Sequence, residues 1–294
     1  MKRNSALSTQ IKDGLNTVLN TAGLQLQTTV VERQERERLE RLVARGHWNN
    51  APFSEGLSFS PEQHLEFLKN ICKAYTAELA ALPVADGGNG EFFRNNGWFD
   101  SLDADVLYGV VRHFAPTQVI EIGSGYSTRL TGRAIRDGQL STKLICIDPS
   151  PRVEVHRCAS EFIQSPVEEL PGFELPDRLN SGDVLFIDSS HLIRSGGDVV
   201  YLYLQVLPRL RPGVLIHAHD IFLPYEYPKE FVVQQQWGWG EQYLVHALLM
   251  GNRRFEILWP GHYMWQTHRE KILGIVPVQE QFQPPSSFWL RKTG

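Results

Sequence analysis

The chain contains two short segments whose polar side chains could perform acid–base or metal chemistry. Asp188 ends the apolar segment DVLFID, and His191 follows three residues later. His219 ends a second apolar segment, GVLIHAH, and Asp220 comes next. Carboxylates and imidazoles are ligands for divalent metals, and a histidine can also act as a general base. The candidate catalytic residues are therefore Asp188, His191 and His219, and the candidate metal ligands are Asp188, His219 and Asp220.

Both a metal-dependent and a metal-free use of these residues stay open. A histidine and two carboxylates suit Mn²⁺, Fe²⁺ or Zn²⁺ at least as well as Mg²⁺, which prefers oxygen ligands. Without a metal, His219 would deprotonate a phenol or an acidic N–H itself, and Asp188 would only orient a loop. His191 would orient Asp188 or serve as an alternative base. His217 lies inside its segment, so we expect it to be a hydrogen-bonded core histidine.

A turn with two glycines is a candidate nucleoside site. Residues 119–130 read VIEIGSGYSTRL, in which Gly123 and Gly125 fit the first two glycines of the dinucleotide motif G-x-G-x-x-G. Thr128 takes the place of the third glycine. Asp148 ends the next apolar segment, KLICID, where an acid can accept both hydroxyls of a ribose. The pattern favours a nucleoside without a pyrophosphate over NAD.

The elements that would position these residues follow an alternating pattern. Short apolar segments predict strands at 118–123, 143–148, 161–165, 183–188, 213–219, 254–260 and 286–292, and helices are predicted between them, at 101–114, 198–210 and 241–250 among others. This alternation predicts the α/β class, with a doubly wound, seven-stranded, mostly parallel sheet covered on both faces. In such sheets ligands bind beyond the carboxyl ends of the strands, which is where the candidate residues stand.

The motifs resemble those of the class I S-adenosylmethionine (SAM)-dependent methyltransferases. EIGSGYST followed by CIDP is similar to the first two motifs of that family, and the resemblance covers about residues 98–294. FIDSSH and VLIHAHDIFLPYEYP resemble a group of bacterial small-molecule methyltransferases. The acids after strands four and five resemble the metal site of the catechol O-methyltransferases, with His219 in place of an acid and Asp220 in place of an amide.

The resemblance implies SAM as the cofactor and a Rossmann-like fold. It implies cofactor contacts from Glu121, Gly123, Ser124, Gly125, Ser127, Asp148, Pro149 and Val167, of which Asp148 would bind the ribose and Val167 would lie near the adenine. It also implies a methyltransferase that acts on a hydroxyl of a small or secondary metabolite, by metal-assisted or histidine-assisted deprotonation. An N-methyltransferase acting on a small molecule or peptide is the alternative.

The segment 221–243 is a long connection rich in aromatic residues, placed over the expected acceptor site. Aromatic rings can pack flat against a planar or sugar-like acceptor. The candidate acceptor contacts are Tyr225, Glu226, Tyr227, Trp237 and Trp239. Trp98 and Phe99 precede the first core helix and are expected to close over the cofactor.

A glycine-rich break at 85–93 predicts two domains. Residues 1–95 would form an N-terminal helical cap, and residues 96–294 the SAM-binding domain. The helix predicted at 30–46 is densely charged and has only a thin apolar stripe, which is typical of a solvated helix or of a homodimer contact.

Composition argues against several other classes. A net charge of −4 and an isoelectric point near 6.2 give no general electrostatic attraction for nucleic acid. No apolar run is long enough for a membrane span, and three cysteines without a CxxC pair indicate reduced thiols in a cytoplasmic protein. The rival hypotheses are a metallo-hydrolase that uses HAHD, an NAD-dependent oxidoreductase, and a non-catalytic protein that retains SAM.

Overall fold

The computed structural model describes residues 3–26, 29–170, 174–276 and 284–294. The chain divides into two compact units, residues 1–50 and 51–294. The first unit holds the helices α1 (Arg3–Leu19) and α2 (Val30–Ala44). This division lies earlier than the boundary predicted after residue 95. The predicted cap and its homodimer contact stay predictions.

The second unit is built on a seven-stranded sheet. Its strands are β1 (Gln118–Ile122), β2 (Lys143–Ile147), β3 (Glu161–Ile163), β4 (Val184–Ile187), β5 (Leu215–Ala218), β6 (Phe255–Pro260) and β7 (Phe288–Lys292). The order in the sheet is β3-β2-β1-β4-β5-β7-β6. Strands β1 to β5 are parallel, whereas β7 runs antiparallel to both β5 and β6. The predicted fold class is confirmed.

Helices cover both faces of this sheet. They are α3 (Pro61–Cys72), α4 (Thr76–Ala80), α5 (Ser101–Phe114), α6 (Tyr126–Asp137), α7 (Leu175–Arg178), α8 (Asp198–Tyr201), α9 (Glu241–Leu249) and α10 (Gly261–Leu273). The helix predicted at 198–210 changes pitch along its length, because α8 passes into a π-helix at Leu202–Val206 and a 3₁₀ turn at Leu207–Arg209. Among the residues that the structure describes, no helix is long and apolar enough to cross a membrane.

The central strands are apolar because both of their faces are buried. In β1, Val119 belongs to the core on one face and Ile120 to the core on the other. Leu144 and Ile145 of β2 are divided in the same way. Successive side chains of a strand point to opposite faces, so a strand between two helix layers needs an almost continuous apolar run. This is why the strands were recognisable in the sequence.

The polar residues that follow these strands are still held by the sheet. The backbone N–H of Asp188 donates to Ile122 O at 2.8 Å, and that of His219 donates to Ile187 O at 2.9 Å. The N–H of Asp148 donates to Ile163 O at 3.1 Å. Each residue therefore begins at a fixed point on the carboxyl edge of the sheet, and only its side chain remains to be oriented.

Candidate functional site

The turn between β1 and α6 requires its first glycine. Gly123 has a positive φ of 81°, and a Cβ at this position would collide with the backbone carbonyl of Asp188. The turn therefore passes directly against the end of β4. Thr128, which replaces the third glycine of the dinucleotide motif, accepts a hydrogen bond from the N–H of Gly125 at 3.0 Å. It thus caps the start of α6, which explains the departure from the motif.

Asp148 closes this turn from the neighbouring strand. One carboxylate oxygen accepts the N–H of Ser124 at 2.6 Å, and the other accepts the N–H of Ser150 at 2.7 Å. A carboxylate oxygen can accept more than one hydrogen bond, so both retain capacity for ligand hydroxyls. The arrangement holds an acid at the cavity wall in a fixed orientation.

Two cavities adjoin at this edge of the sheet. One has a volume of about 450 Å³ and the other of about 680 Å³. Their shared lining residues are Gly123, Asp148, Ser150, Asp188, Ser189 and Ser190. The smaller cavity is also lined by the apolar residues Ile122, Ile147, Pro149, Pro166 and Val167. An apolar patch beside a carboxylate that can accept ribose hydroxyls is suited to a nucleoside.

The predicted cofactor contacts separate into two groups. Gly123, Ser124, Asp148, Pro149 and Val167 line one or both cavities, whereas Glu121, Gly125 and Ser127 are not among the lining residues. The carboxylate of Glu121 is fully buried and accepts a hydrogen bond from the Ser127 hydroxyl. Burial raises the pKa of Glu121 to about 8. As cofactor contacts, all eight residues stay predictions.

The larger cavity contains a cluster of groups suited to a divalent metal. Asp188, His191 and Asp220 each offer one ligand atom, and these atoms lie within 4.8 Å of one another. His191 Nε2 is 3.4 Å from Asp188 Oδ1 and 3.6 Å from Asp220 Oδ2. Ligand atoms at about 2.1 Å from one ion lie roughly 3 to 4 Å apart, so this set fits a single metal. Two carboxylates and an imidazole suit Mn²⁺, Fe²⁺ or Zn²⁺.

The charges in this cluster depend on one another. Burial disfavours charge on His191, but hydrogen bonds to Asp188 and Glu241 outweigh it and raise the histidine's pKa well above its ordinary value. Burial likewise opposes ionisation of Asp188, yet the hydrogen bond from His191 and the charge of His219 lower its pKa to about 2. The cluster therefore combines an ionised Asp188 with a strongly basic imidazole of His191.

His219 lies beside this cluster but outside the group of ligand atoms. Its Nε2 is 3.9 Å from Asp220 Oδ1, and its ring packs 5.1 Å from that of Phe99. Among the described residues, its buried Nδ1 has no hydrogen-bond partner. Burial lowers the pKa of His219, but the charges of Asp220 and Asp188 outweigh it and raise the pKa overall. His191, rather than His219, lies with Asp188 and Asp220 in the structure, and the role of His219 as a metal ligand stays a prediction.

His217 is a core residue, as predicted, but it is not hydrogen-bonded. Its ring stacks on Phe186 with centroids 3.9 Å apart, and within the described part of the chain neither ring nitrogen has a partner. The expectation of a satisfied histidine is wrong, because aromatic neighbours fill the space around the ring. Burial lowers the pKa of His217 well below its ordinary value, so the ring is neutral. The HAHD segment therefore does not place its two histidines in one metal set.

The aromatic connection after β5 divides into wall and anchor residues. Trp237 and Trp239 line the larger cavity together with Phe231, and their rings are 4.5 Å apart. Tyr225, Glu226 and Tyr227 are not among the lining residues. The hydroxyl of Tyr227 accepts the N–H of Gln242, and Glu226 accepts hydrogen bonds from Gln242 and Tyr243, so both side chains anchor the loop.

The opposite wall of the cavity holds a residue pair. Trp98 is exposed, and the guanidinium of Arg152 lies 3.6 Å from the centre of its ring. Both residues line the larger cavity, whereas Phe99 is buried and does not. Trp98 thus reaches the larger cavity, and closure of residues 98 and 99 over the cofactor stays a prediction. Phe231 lies in the aromatic segment 221–243 without being one of the candidate acceptor contacts, whereas no motif surrounds Arg152.

The family comparison agrees with this geometry. Residues 120–221, about a third of the chain, match a family model described as a methyltransferase domain. The matched segment begins in β1, includes the glycine turn, Asp148 and Asp188, and ends just after Asp220. This segment is similar to known methyltransferase domains. Together with the strand order, the match confirms the recognition of a class I SAM-dependent methyltransferase core.

Individual relatives of this methyltransferase domain are distant. An uncharacterised protein of Archaeoglobus fulgidus is 26% identical over 125 residues, which cover 39% of this chain and 55% of the relative. The chain therefore spans about half the length of the curated relative that it matches.

Several solved methyltransferase structures are also similar to this chain. The SAH-bound methyltransferase PaMTH1 of Podospora anserina is 15% identical, covers 92% of this chain and 99% of its own, and has a TM-score of 0.40. A methyltransferase structure from Thermobifida fusca is 14% identical, covers 64% and 79%, and has a TM-score of 0.42. The plantazolicin methyltransferase BpumL, solved with SAH, is 15% identical, covers 89% and 100%, and has a TM-score of 0.40. The family match and the strand order, rather than these likenesses, identify the domain.

Proposed function

We propose that this protein transfers a methyl group from SAM to a hydroxyl of a small planar metabolite. The observation that carries the proposal is the convergence of three features on two adjoining cavities. These are the Gly123 turn, the carboxylate of Asp148, and the cluster of Asp188, His191 and Asp220. A cofactor site and a deprotonating site would then adjoin, because the two cavities share lining residues.

The smaller cavity and the turn would hold the cofactor. Asp148 would accept the ribose hydroxyls, and the apolar pocket that includes Val167 would hold the adenine. Backbone groups of Gly123 and Ser124 would face the methionine part, because both residues line the larger cavity. When bound, SAM supplies a methyl group that is activated by its positively charged sulfur.

The larger cavity would bind the acceptor. Trp237 and Trp239 form one wall, and Trp98 with Arg152 forms another, which suits a planar ring. Asp188, His191 and Asp220 would hold a divalent metal that lowers the pKa of the acceptor hydroxyl. His219 is an imidazole without a partner for Nδ1 among the described residues, and its raised pKa makes its neutral form a stronger base. It is our candidate to receive the hydroxyl proton.

A nitrogen acceptor is the second candidate within the same site. It would use the same cofactor turn and the same aromatic walls. A neutral amine already carries a lone pair and gains nothing from a metal that acidifies a hydroxyl. Dependence of activity on a divalent metal therefore separates the two acceptors. The aromatic walls also agree with an acceptor from secondary metabolism, which we propose as the substrate class.

The first experiment is a thermal unfolding scan with and without S-adenosylhomocysteine, with NAD as a parallel control. Ligand at 100 times its dissociation constant adds about 2.7 kcal/mol to the free energy of unfolding. The Asp148→Asn variant should lose most of this gain. Asp86→Asn is the matched control, since Asp86 also accepts the N–H two residues later but lies exposed outside both cavities. Stabilisation by NAD alone would contradict the proposal.

The second experiment is a screen of phenols, catechols and amines with labelled SAM, run with Mn²⁺ and with a chelator. We expect methylation of a hydroxyl that falls on chelation and returns with Mn²⁺. Methylation of nitrogen that is insensitive to the chelator would replace the hydroxyl proposal with its alternative. Stabilisation by S-adenosylhomocysteine without methylation of any acceptor would favour a non-catalytic SAM-binding protein.

A further inference from the structure

A buried carboxylate lies next to the metal-like cluster, which is the group formed by Asp188, His191 and Asp220. Glu241, the first residue of α9, has no exposed surface. Its Oε1 accepts a hydrogen bond from the hydroxyl of Tyr203 at 2.7 Å. Its Oε2 accepts one from the hydroxyl of Ser189 at 2.7 Å and lies 2.7 Å from His191 Nδ1. A buried carboxylate is costly unless it is paired, so a carboxylate with three polar partners is a built feature of the fold.

The same helix end also holds the backbone of His191. The carbonyl oxygen of His191 accepts the N–H of Gly240 at 2.8 Å and the N–H of Glu241 at 3.3 Å. His191 has a positive φ of 60°, a conformation that non-glycine residues rarely adopt. Two backbone contacts and one side-chain contact therefore fix the position of this residue from a single element. The ring has little freedom to turn away.

The contact with Glu241 decides which ring nitrogen faces the cavity. A carboxylate can only accept, so Nδ1 must carry the proton that it shares with Oε2. Nε2 then points to Asp188 and Asp220, at 3.4 and 3.6 Å. Without an ion, Nε2 shares a proton with Asp188, and an ion would take the place of that proton, because a metal ligand needs a free electron pair. Nε2 would be the ligand nitrogen here, and Glu241 does not itself line the larger cavity.

We infer that Glu241 is the positioning residue for His191. It holds the imidazole with Nδ1 protonated and presents Nε2 to the space between Asp188 and Asp220, where the proposed function places a divalent metal. This inference rests on that proposed function, but its geometry can be tested apart from it. Partners of this kind commonly change metal affinity by 10- to 100-fold in other proteins. If its role were purely structural, Glu241 would join α9 to the loop that holds Ser189 and His191 but would not affect the protonation of the His191 ring.

The Glu241→Gln variant separates the two roles. Its amide keeps the shape of the side chain, but its NH₂ group can donate to Nδ1 and leave the proton on Nε2, facing the carboxylates. We expect the affinity for Mn²⁺, measured by the electron paramagnetic resonance of free Mn²⁺, to fall about 10- to 100-fold. The stabilisation by S-adenosylhomocysteine should not change, because Ser189 is the one smaller-cavity residue among the side-chain hydrogen-bond partners that the described part of the chain gives Glu241.

Tyr203→Phe is the matched control. It removes the hydrogen bond to the other oxygen of Glu241 and leaves the contact with His191 in place. We expect a lower melting temperature with nearly unchanged Mn²⁺ affinity. If Glu241→Gln does not fold, Glu241→Asp keeps the charge but shortens the side chain, and the same loss of Mn²⁺ affinity is expected. Equal losses in the Tyr203 and Glu241 variants would show a structural role and overturn the inference.

A second readout does not need the metal. With ¹⁵N-labelled histidine, the His191 Nδ1 proton should give a protected signal that is assigned by its loss in His191→Asn. Glu241→Gln should abolish this signal or move the proton to Nε2. An unchanged Nδ1 proton would overturn the inference. A wild-type protein that responds to S-adenosylhomocysteine but not to Mn²⁺ would remove the metal from the proposed function, and the Nδ1 signal would still decide the role of Glu241.

Discussion

The turn between β1 and α6, here called the cofactor turn, and the metal-like cluster lie on the same edge of the sheet. The two are assembled differently. The turn is closed by contacts that are local in the chain or join neighbouring strands, such as Gly125 with Thr128 and Ser124 with Asp148. The cluster depends on distant partners, since His191 pairs with Glu241, 50 positions away. A local assembly leaves a motif in the sequence, whereas a distant one leaves only single polar residues.

The difference extends to the two predicted histidines. The sequence placed His219 in the metal set because it ends a strand next to Asp220. In the structure His191 completes the set with Asp188 and Asp220, while His219 packs on Phe99. Strand ends can be predicted from apolar periodicity, but the direction of a loop side chain depends on its backbone and its partners. Here these are the positive φ of His191 and the buried carboxylate of Glu241.

The largest expected effect tests the local assembly. Gly123→Ala would place a Cβ against the carbonyl oxygen of Asp188 at a positive φ. Overpacking and left-handed strain add, so we expect the free energy of unfolding to fall by more than about 4 kcal/mol and the response to S-adenosylhomocysteine to disappear. Gly125→Ala is the control, because a Cβ there would meet nothing within 4 Å. Chemical denaturation measures both, and equal stabilities would contradict the close approach of this turn to β4.

The next effect concerns the buried carboxyl group of Glu121, which lies beneath the turn. Because burial raises the pKa of Glu121 to about 8, the folded protein keeps a proton that the unfolded chain has lost above its ordinary pKa of 4.5. The free energy of unfolding should therefore decrease as the pH rises, by about 3 kcal/mol between pH 5 and pH 8, and level off above the folded-state pKa. Glu121→Gln should flatten this part of the curve. Identical pH profiles in denaturant titrations would show that Glu121 is ionised in the folded protein.

Only part of the cofactor turn can be predicted from the sequence. The positions of Gly123 and Asp148 followed from the apolar strands and the glycine spacing, and the structure puts both at the cavity. The buried bond between Glu121 and Ser127 was not foreseen. A motif shows which residues lie near a turn but not which face of it each side chain takes. That choice depends on packing beneath the turn, which one sequence does not display.

A smaller effect distinguishes the two histidines of the other region. If His191 Nε2 is the ligand, His191→Asn should weaken Mn²⁺ binding by about 2 kcal/mol, whereas His219→Asn should change it little. Calorimetric titration with Mn²⁺ gives both values on folded protein, which circular dichroism verifies. The reverse order of effects would restore the metal set that the sequence predicted, and would mean that the carboxylate of Asp220 turns toward His219 when the ion binds.

The smallest effects sharpen the comparison within the aromatic connection, where anchor residues come first along the loop and wall residues follow. Trp237 is 41% exposed and lines the larger cavity, so Trp237→Ala should lower the free energy of unfolding by less than about 1 kcal/mol. Tyr227→Phe deletes a single oxygen, yet it leaves the first-turn N–H of Gln242 buried without its acceptor, at a cost of about 2 kcal/mol. Urea denaturation of the two variants decides between these values. If the exposed tryptophan proved the costlier loss, its ring would be an anchor of the loop rather than a wall kept open for an acceptor.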